Sequence, residues 1–456
     1  MTGDKIPLLL PAETQIREFD GKLLVACMAA ERGIPAIIGS RVAMHARATA
    51  LPRGIYVSKD VRGSSLKMMG ILEQLGHSIC AWDEECLVQF SPQRYYETRV
   101  SPAVMDKTAV LCAWGEANQR VFAECPSYSG APIHITGNPR IDLLRPELRG
   151  FFDKDVARIR ERFGDYILIS THFGAINHYV PELSEHTLNA ITPLSEKEGD
   201  FKQGLKDHLF AIFRDFEQMI PALGNAFTDR TILVRPHPAE NRDPWDKVAA
   251  ELPNVHVVQE GNVVPWILGS QALIHNSCTT SVEAFVLEKP TVAYLPVTSD
   301  RFDLDLPNKL GHQAFDMDEL IETLKAITDG SKPPQQDATQ IELLRQNIAA
   351  TQGSFAAERI VDVLTEESQG ALALPPLNTG RFLNAWLRSH ERAASKWLNS
   401  FLPGHKNNAE YQRQRFPGLS ETEVDERIQR FAGLLNRFEG VYARQLFENV
   451  FEIVSS

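Results

Sequence analysis

The sequence predicts an α/β protein made of two doubly wound, Rossmann-like halves with a helical appendage. Three observations lead there. Between Thr231 and Pro296 three strand-like runs, TILV, ALIH and TVAYL, each stop on proline or polar residues and give way to helix-like segments. The first 140 residues alternate short apolar runs with helical patterns at the pace of β-α-β units. Between them lies a charged helical stretch, DKDVARIRERFG, that suits a connection between domains.

In order, strands are expected at 5–10, 35–38, 54–57, 78–82, 109–113 and 133–136, with helices at 21–32, 65–75 and 116–124, the first two stopped by Gly33 and Gly76. The charged helix at 145–164 leads to a strand at 166–170. Residues 177–203 carry no clear period and read as a long loop of the kind that is often functional. A helix at 205–227 precedes the three strand steps, with a further strand at 255–258 between the first two. Helices follow at 317–327, 341–350 and 355–365, then a linker at 369–378. Segments 381–402 and 420–454 read as helices, the second opened by a capping box, Ser420 with Glu423, and a Leu419–Val424 staple. Its apolar stripe, Val424, Ile428, Phe431, Leu435, Phe438 and Tyr442, is expected to serve packing, with a dimer or membrane surface as its other use. The expected domains are 1–150, 151–368 and 369–456.

A chain of 456 residues exceeds one hydrophobic core. Its net charge of −12 argues against duplex nucleic acid as a partner. Six scattered cysteines without a CxxC pair suit reduced thiols in a cytoplasmic protein. The N-terminal apolar run is too short for a signal peptide and no stretch approaches a membrane span, so any membrane contact is expected to be peripheral.

Ligands of doubly wound sheets bind beyond the carboxyl ends of the strands. There the sequence places Arg235, His237 and Pro238 after one strand, and Asn276, Ser277, Thr279 and Thr280 after another. Hydroxyl, amide and imidazole donors at a helix start suit a phosphate, whereas ordinary capping needs only one of them. Glu283, one turn along, could accept from a ribose, and Gly261-Asn262 could admit a base edge to the backbone. In the first half, Asp83-Glu84-Glu85 ends a strand and offers carboxylates for proton abstraction or nucleophilic attack; a solvated acidic turn is the other reading. Glu18, Asp20 and Asp142 compete with Glu84 and Glu85 for that role. Asp303-Leu304-Asp305 matches a metal-holding DxD, a weak pattern in an acidic protein. Phosphate departure assisted by His, Arg and a helix N-terminus needs no metal, so no cofactor is expected.

At RPHPAEN, HNSCTTSVEAFVLEKPTVAYLP, GNPRID, PAETQIREFDGKLL and WDEECLV the chain resembles bacterial surface-carbohydrate biosynthesis proteins, relatives of the CMP-Kdo-dependent capsule and lipopolysaccharide transferases. It is similar, more distantly, to CDP-glycerol glycerophosphotransferases. The resemblance covers roughly 5–300 and implies a GT-B glycosyltransferase that moves an ulosonic acid from a CMP-sugar to a glycan or lipid-linked acceptor, with retention. It implies a cytidine nucleotide held by the His-Pro pair and the Ser/Thr turn. A polyol-phosphate transferase, an epimerase or a non-catalytic binding module stays open as an alternative. Where acid-acid-Gly is expected, the chain has Glu84-Glu85-Cys86, which puts the freedom of that turn in question.

Overall fold

The computed structural model describes residues 5–89, 91–192, 200–402 and 407–456. The chain forms two compact units, one from residues up to Leu87, Arg99–Phe151 and Gln346–Ser456, the other from Val88–Thr98 and Phe152–Arg345. Both are α/β, the two-Rossmann composition of the GT-B class.

The first unit holds strands β1 (Leu8–Ala12), β2 (Ala36–Ser40), β3 (Ile55–Ser58), β4 (Ser78–Trp82), β5 (Val110–Ala113) and β6 (Ile133–Ile135). The second holds β7 (Tyr166–Ser170), β8 (Thr231–Arg235), β9 (Val255–Val257), β10 (Ala272–His275), β11 (Thr291–Tyr294) and β12 (His312–Ala314). A hairpin of β13 (Val441–Phe447) and β14 (Val450–Ser455) returns to the first unit. Its sheet runs β13-β14-β2-β1-β3-β4-β5-β6, parallel except for the hairpin; the second runs β12-β11-β10-β7-β8-β9, parallel throughout. Parallel strands covered by helices on both faces read as unbroken apolar runs, and β1, β4, β7 and β10 are buried along their whole length.

Helix Asp20–Glu31 is buried from Asp20 to Ala30. It lies against helices Ala356–Glu366 and Glu421–Leu435, which explains why it is apolar nearly all round. In the second unit, Phe216, Met219, Ile220 and Leu223 of helix Asp200–Ala226 pack onto β7, β8 and β10.

Two expected elements differ. The loop expected at 177–203 contains a helix, Pro181–Ile191, and the start of the helix that runs from Asp200; residues 193–199 lie outside the described residues. Pro181 at the first helical position and Glu182 in the first turn are ordinary start signals. The single helix expected at 420–454 ends at Leu435, after the capping box at Ser420 and Glu423. Asn436 is left-handed, with φ 52°, and closes the helix; Gly440, with φ 72°, leads into β13. Val424, Ile428 and Phe431 line the helix's buried face, but Phe438 and Tyr442 lie beyond it. Their helical spacing was coincidental: β13 alternates buried and exposed from Val441 to Arg444. The hairpin closes on the edge of β2 where Gly39 admits it, since a Cβ there would lie 2.2 Å from the Asn449 carbonyl oxygen.

Candidate functional site

Each sheet reverses its strand order once, and each reversal gathers polar side chains. In the second unit it falls between β7 and β10, the central strands of a 3-2-1-4-5-6 arrangement. β7 exits into Thr171 and His172; β10 ends on His275 and turns through Asn276 and Ser277. The two exits meet, with Ser170 Oγ 3.8 Å from Cys278 Sγ.

His275 is fully buried and neither ring nitrogen finds a protein partner. Burial, with His172 nearby, pushes its pKa down to about 3, so the imidazole is neutral at physiological pH. An unpaired buried polar group costs about 1–3 kcal/mol, which a hydrogen-bonding ligand would recover. The turn after it is also constrained. Ser277 sits at φ 50°, uncommon for a non-glycine residue. Asn308 holds it there, its Oδ1 accepting from Ser277 N at 2.7 Å and its Nδ2 donating to Ser277 Oγ at 2.9 Å. Asn276 Nδ2 donates to the Tyr294 carbonyl at 2.9 Å. Thr279 makes no side-chain cap, Thr280 Oγ1 donates to Cys278 Sγ at 3.0 Å, and Glu283 lies in the first turn of helix Thr280–Val286. That helix has seven residues, so its dipole is short.

At the β8 exit the roles divide differently from the expectation. Arg235 donates to the Glu260 and Gly261 carbonyls at 2.8 and 2.6 Å, and its guanidinium lies 5.6 Å from the Trp266 ring. Burial pushes its pKa down to about 10. It therefore fastens the turn in which Gly261 adopts φ 66° and Asn262 caps helix Val263–Gly269. His237 and Pro238 are exposed, and His237 Nδ1 accepts from Ala239 N at 3.1 Å. Glu240, buried beneath them, accepts from His237 N at 3.0 Å and lies 2.9 Å from Thr171 Oγ1. Burial raises its pKa to about 7 against these hydrogen bonds. Asp303 pairs with His208 at 2.8 Å and Asp305 with Lys309 at 2.7 Å, so each DxD carboxylate has a local partner. Among the described residues no group of three or more His, Cys, Asp or Glu side chains is placed to hold a metal ion.

The first unit's reversal lies between β1 and β3, and the residues leaving these strands are Glu13 and Lys59. Lys59 Nζ lies 2.5 Å from Glu13 and 3.5 Å from Glu18. Lys22 reaches Glu18 at 2.8 Å and Glu84 at 3.0 Å, and donates to the Pro11 carbonyl at 2.8 Å. Glu13 also meets Arg41 at 2.8 Å and Arg415 at 2.6 Å. Against the effect of burial, Lys22 and Lys59 hold Glu18 far below the usual carboxylate range, and Lys59, Arg41 and Arg415 lower Glu13. Glu84 accepts from Trp82 Nε1 at 2.8 Å through Oε1, while its buried Oε2 has no protein hydrogen-bond partner.

The other expected carboxylates are committed. Glu85 pairs with Arg99 at 2.9 Å and is drawn down to about 2, against burial, chiefly by Arg99 and Lys59. Asp20 pairs with Arg427. Asp142 accepts from Ala356 N and Ala357 N at 2.8 Å each and anchors that helix start; burial raises its pKa to about 7. Cys86 needs no glycine-like backbone, since it has no positive φ, and its sulfur accepts from Asn118 Nδ2 at 2.8 Å.

Sequence reasoning passed over His275, Glu240, Glu13, Lys22 and Lys59. One signal was available: Lys22 interrupts an otherwise apolar helix four residues after Glu18, the spacing of a helical ion pair.

No family model matches the chain, and no curated protein matches it. Among solved structures it is similar to the Methanocaldococcus jannaschii UDP-GlcNAc 2-epimerase bound to UDP-GlcNAc and UDP, at 12% identity and TM-score 0.45, over 79% of this chain and 99% of that one. The wall teichoic acid polymerase TagF aligns at 12% identity and TM-score 0.48, over 81% and 90%. The Neisseria meningitidis UDP-GlcNAc 2-epimerase aligns at 12% and 0.44, over 79% and 100%. Likenesses of this size leave function to be argued from the residues.

Proposed function

We propose that this chain is a glycosyltransferase that moves a Kdo-type ulosonic acid from CMP to a surface polysaccharide or lipopolysaccharide acceptor, with retention. The observation that carries the reading is the division of chemistry between the two sheet reversals. The second unit gathers a neutral, unpaired imidazole, hydroxyls and amides, the donors an anionic nucleotide wants. The first gathers carboxylates kept ionised by buried lysines, the groups an anomeric carbon wants.

In this reading His275 donates one N–H to a phosphate oxygen of CMP, and Asn308 preorganises the Ser277 turn beside it. Arg235 acts indirectly, by holding the Glu260–Asn262 turn. Glu84 is the acting carboxylate: its free Oε2 attacks the anomeric carbon as the bond to the CMP phosphate breaks and that electron pair leaves with the phosphate. An acceptor oxygen then displaces Glu84, losing its proton to a base. Lys22, 3.0 Å from Glu84 Oε1, stands where it pairs with the carboxylate that the second step releases.

Purified protein is incubated with CMP-Kdo and separately with CDP-glycerol, with and without glycan acceptor, and nucleotide release is followed. CMP release from the sugar donor alone is expected. Consumption of CDP-glycerol would replace the reading with a polyol-phosphate transferase. Tight cytidylate binding without turnover of either donor would replace it with a binding module.

A further inference from the structure

Helix Thr379–Asn399 of the first unit is amphipathic in the wrong sense for a helix that only packs. Its inner face is modest: Phe382 and the fully buried Ala385 rest on a core cluster that includes Met68, Leu72 and Tyr56. The opposite face is large and apolar. Leu383, Trp386 and Leu387 form one group at three- and four-residue spacing. Ten residues after Leu387, a second group of Trp397, Leu398 and Phe401 resumes the same face, Phe401 just beyond the helix end. They are exposed, with Leu387 at 57%, Trp397 at 62% and Phe401 at 66%. Of the sixteen exposed large apolar side chains among the described residues, eight fall between Leu377 and Leu402. Single exposed apolar residues need no explanation, but two clusters on one helix face, each with a tryptophan, do.

Charge identifies the occupant. The helix exposes Arg381 and Arg388 against one exposed acid, Glu391, while Arg392 and Lys396 are half-buried, Arg392 beside Arg41 and Tyr56, in a chain whose net charge is −12. A second copy laid on this stripe about a two-fold axis would bring like charges together. An anionic lipid surface would pair with them, and tryptophan and phenylalanine at the boundary would enter the headgroup region. We propose that this face docks peripherally on a membrane containing anionic lipid, seating the helix in the interface without crossing it. Among the described residues no helix is long and apolar enough to span a bilayer. The proposal is independent of the transfer reaction.

The test is co-sedimentation of the full chain with vesicles of phosphatidylcholine alone and of phosphatidylcholine with phosphatidylglycerol. Binding to the mixed vesicles is expected, with a blue shift of tryptophan emission and quenching by brominated lipid. Arg381→Glu with Arg388→Glu should lower binding to the anionic vesicles by about fivefold or more per position, the factor that corresponds to one basic residue near such a surface. Trp397→Ser with Leu398→Ser and Phe401→Ser should abolish binding while circular dichroism and the thermal transition stay unchanged. If the triple variant misfolds, the quenching of the native tryptophans and the arginine pair still decide. No wild-type binding, or binding indifferent to both sets of changes, would overturn the proposal. So would a dimer, measured by light scattering, that the serine variant alone dissociates in a protein that ignores vesicles.

Discussion

Replacing Lys22 by methionine tests whether the first unit's charges form one network. Lys22 is 1% exposed and lies within 3.0 Å of both Glu18 and Glu84. Methionine nearly matches its length, so packing is kept while the charge is lost. Glu18 then retains Lys59 at 3.5 Å and the Glu13 amide at 2.8 Å, and Glu84 loses the one ion-pair partner it has among the described residues. Breaking a buried pair from one side typically costs about 3–5 kcal/mol, because the remaining charge is left buried, against about 0–1 kcal/mol for a surface pair. The expected loss at pH 7 lies in the first range, read by urea unfolding. Its pH dependence follows from the sign of the shift. The folded pKa of Glu18 is depressed, so its stabilising contribution is present above the unfolded carboxylate value and lost as pH falls through the folded value. Removing Lys22 removes part of that contribution, so the gap between variant and wild type should narrow as the pH falls below the unfolded value. Adding Glu84→Gln to Lys22→Met should return part of the stability, since one stranded charge is gone. A loss under about 1 kcal/mol, the surface-pair value, or a deficit independent of pH, would refute the network.

Other consequences are as specific. His275→Phe removes an unpaired polar group, so stability should change by less than about 1 kcal/mol while CMP affinity, measured by titration calorimetry, falls tenfold or more. Because its folded pKa is depressed to about 3, His275 contributes stability above the unfolded histidine value that is lost as pH falls toward 3. The variant should therefore flatten the acid limb of the stability curve, a change visible in thermal melts between those pH values. Asp142→Ala strands the Ala356 and Ala357 amides and should cost about 2 kcal/mol in urea unfolding, more than a surface change would. Gly39→Ala drives a Cβ into the Asn449 carbonyl, and overpacking of about 1–3 kcal/mol should appear with faster hydrogen exchange in β13 and β14.

The strands were largely legible because parallel, doubly covered strands are apolar runs bounded by glycine, proline and polar residues. Ser78–Trp82, Tyr166–Ser170 and Ala272–His275 begin and end where the pattern does. The hairpin was not legible from periodicity, because Phe431, Leu435, Phe438 and Tyr442 happen to repeat at helical spacing; the break is made by left-handed Asn436, Phe438 and Gly440, of which only the asparagine and the glycine are residue types that signal it. The edge carrying each candidate site was legible for the same reason as the strands. The partner of each charge was not, because Lys59 meets Glu13 and Arg415 meets Glu13 across long sequence separations. Arg235 illustrates the limit: its position at a strand exit suggests phosphate, yet its guanidinium is occupied by two backbone carbonyls of a later turn.

Steady-state release of CMP from CMP-Kdo in the presence of a glycan acceptor, compared between the native protein and Glu84→Gln, tests the central claim most directly. The account predicts one CMP per sugar transferred by the native protein, and a variant that binds cytidylate with native affinity but is at least about a thousandfold slower, as expected when a nucleophile is removed. A Glu84→Gln variant that turns over at the native rate would contradict it.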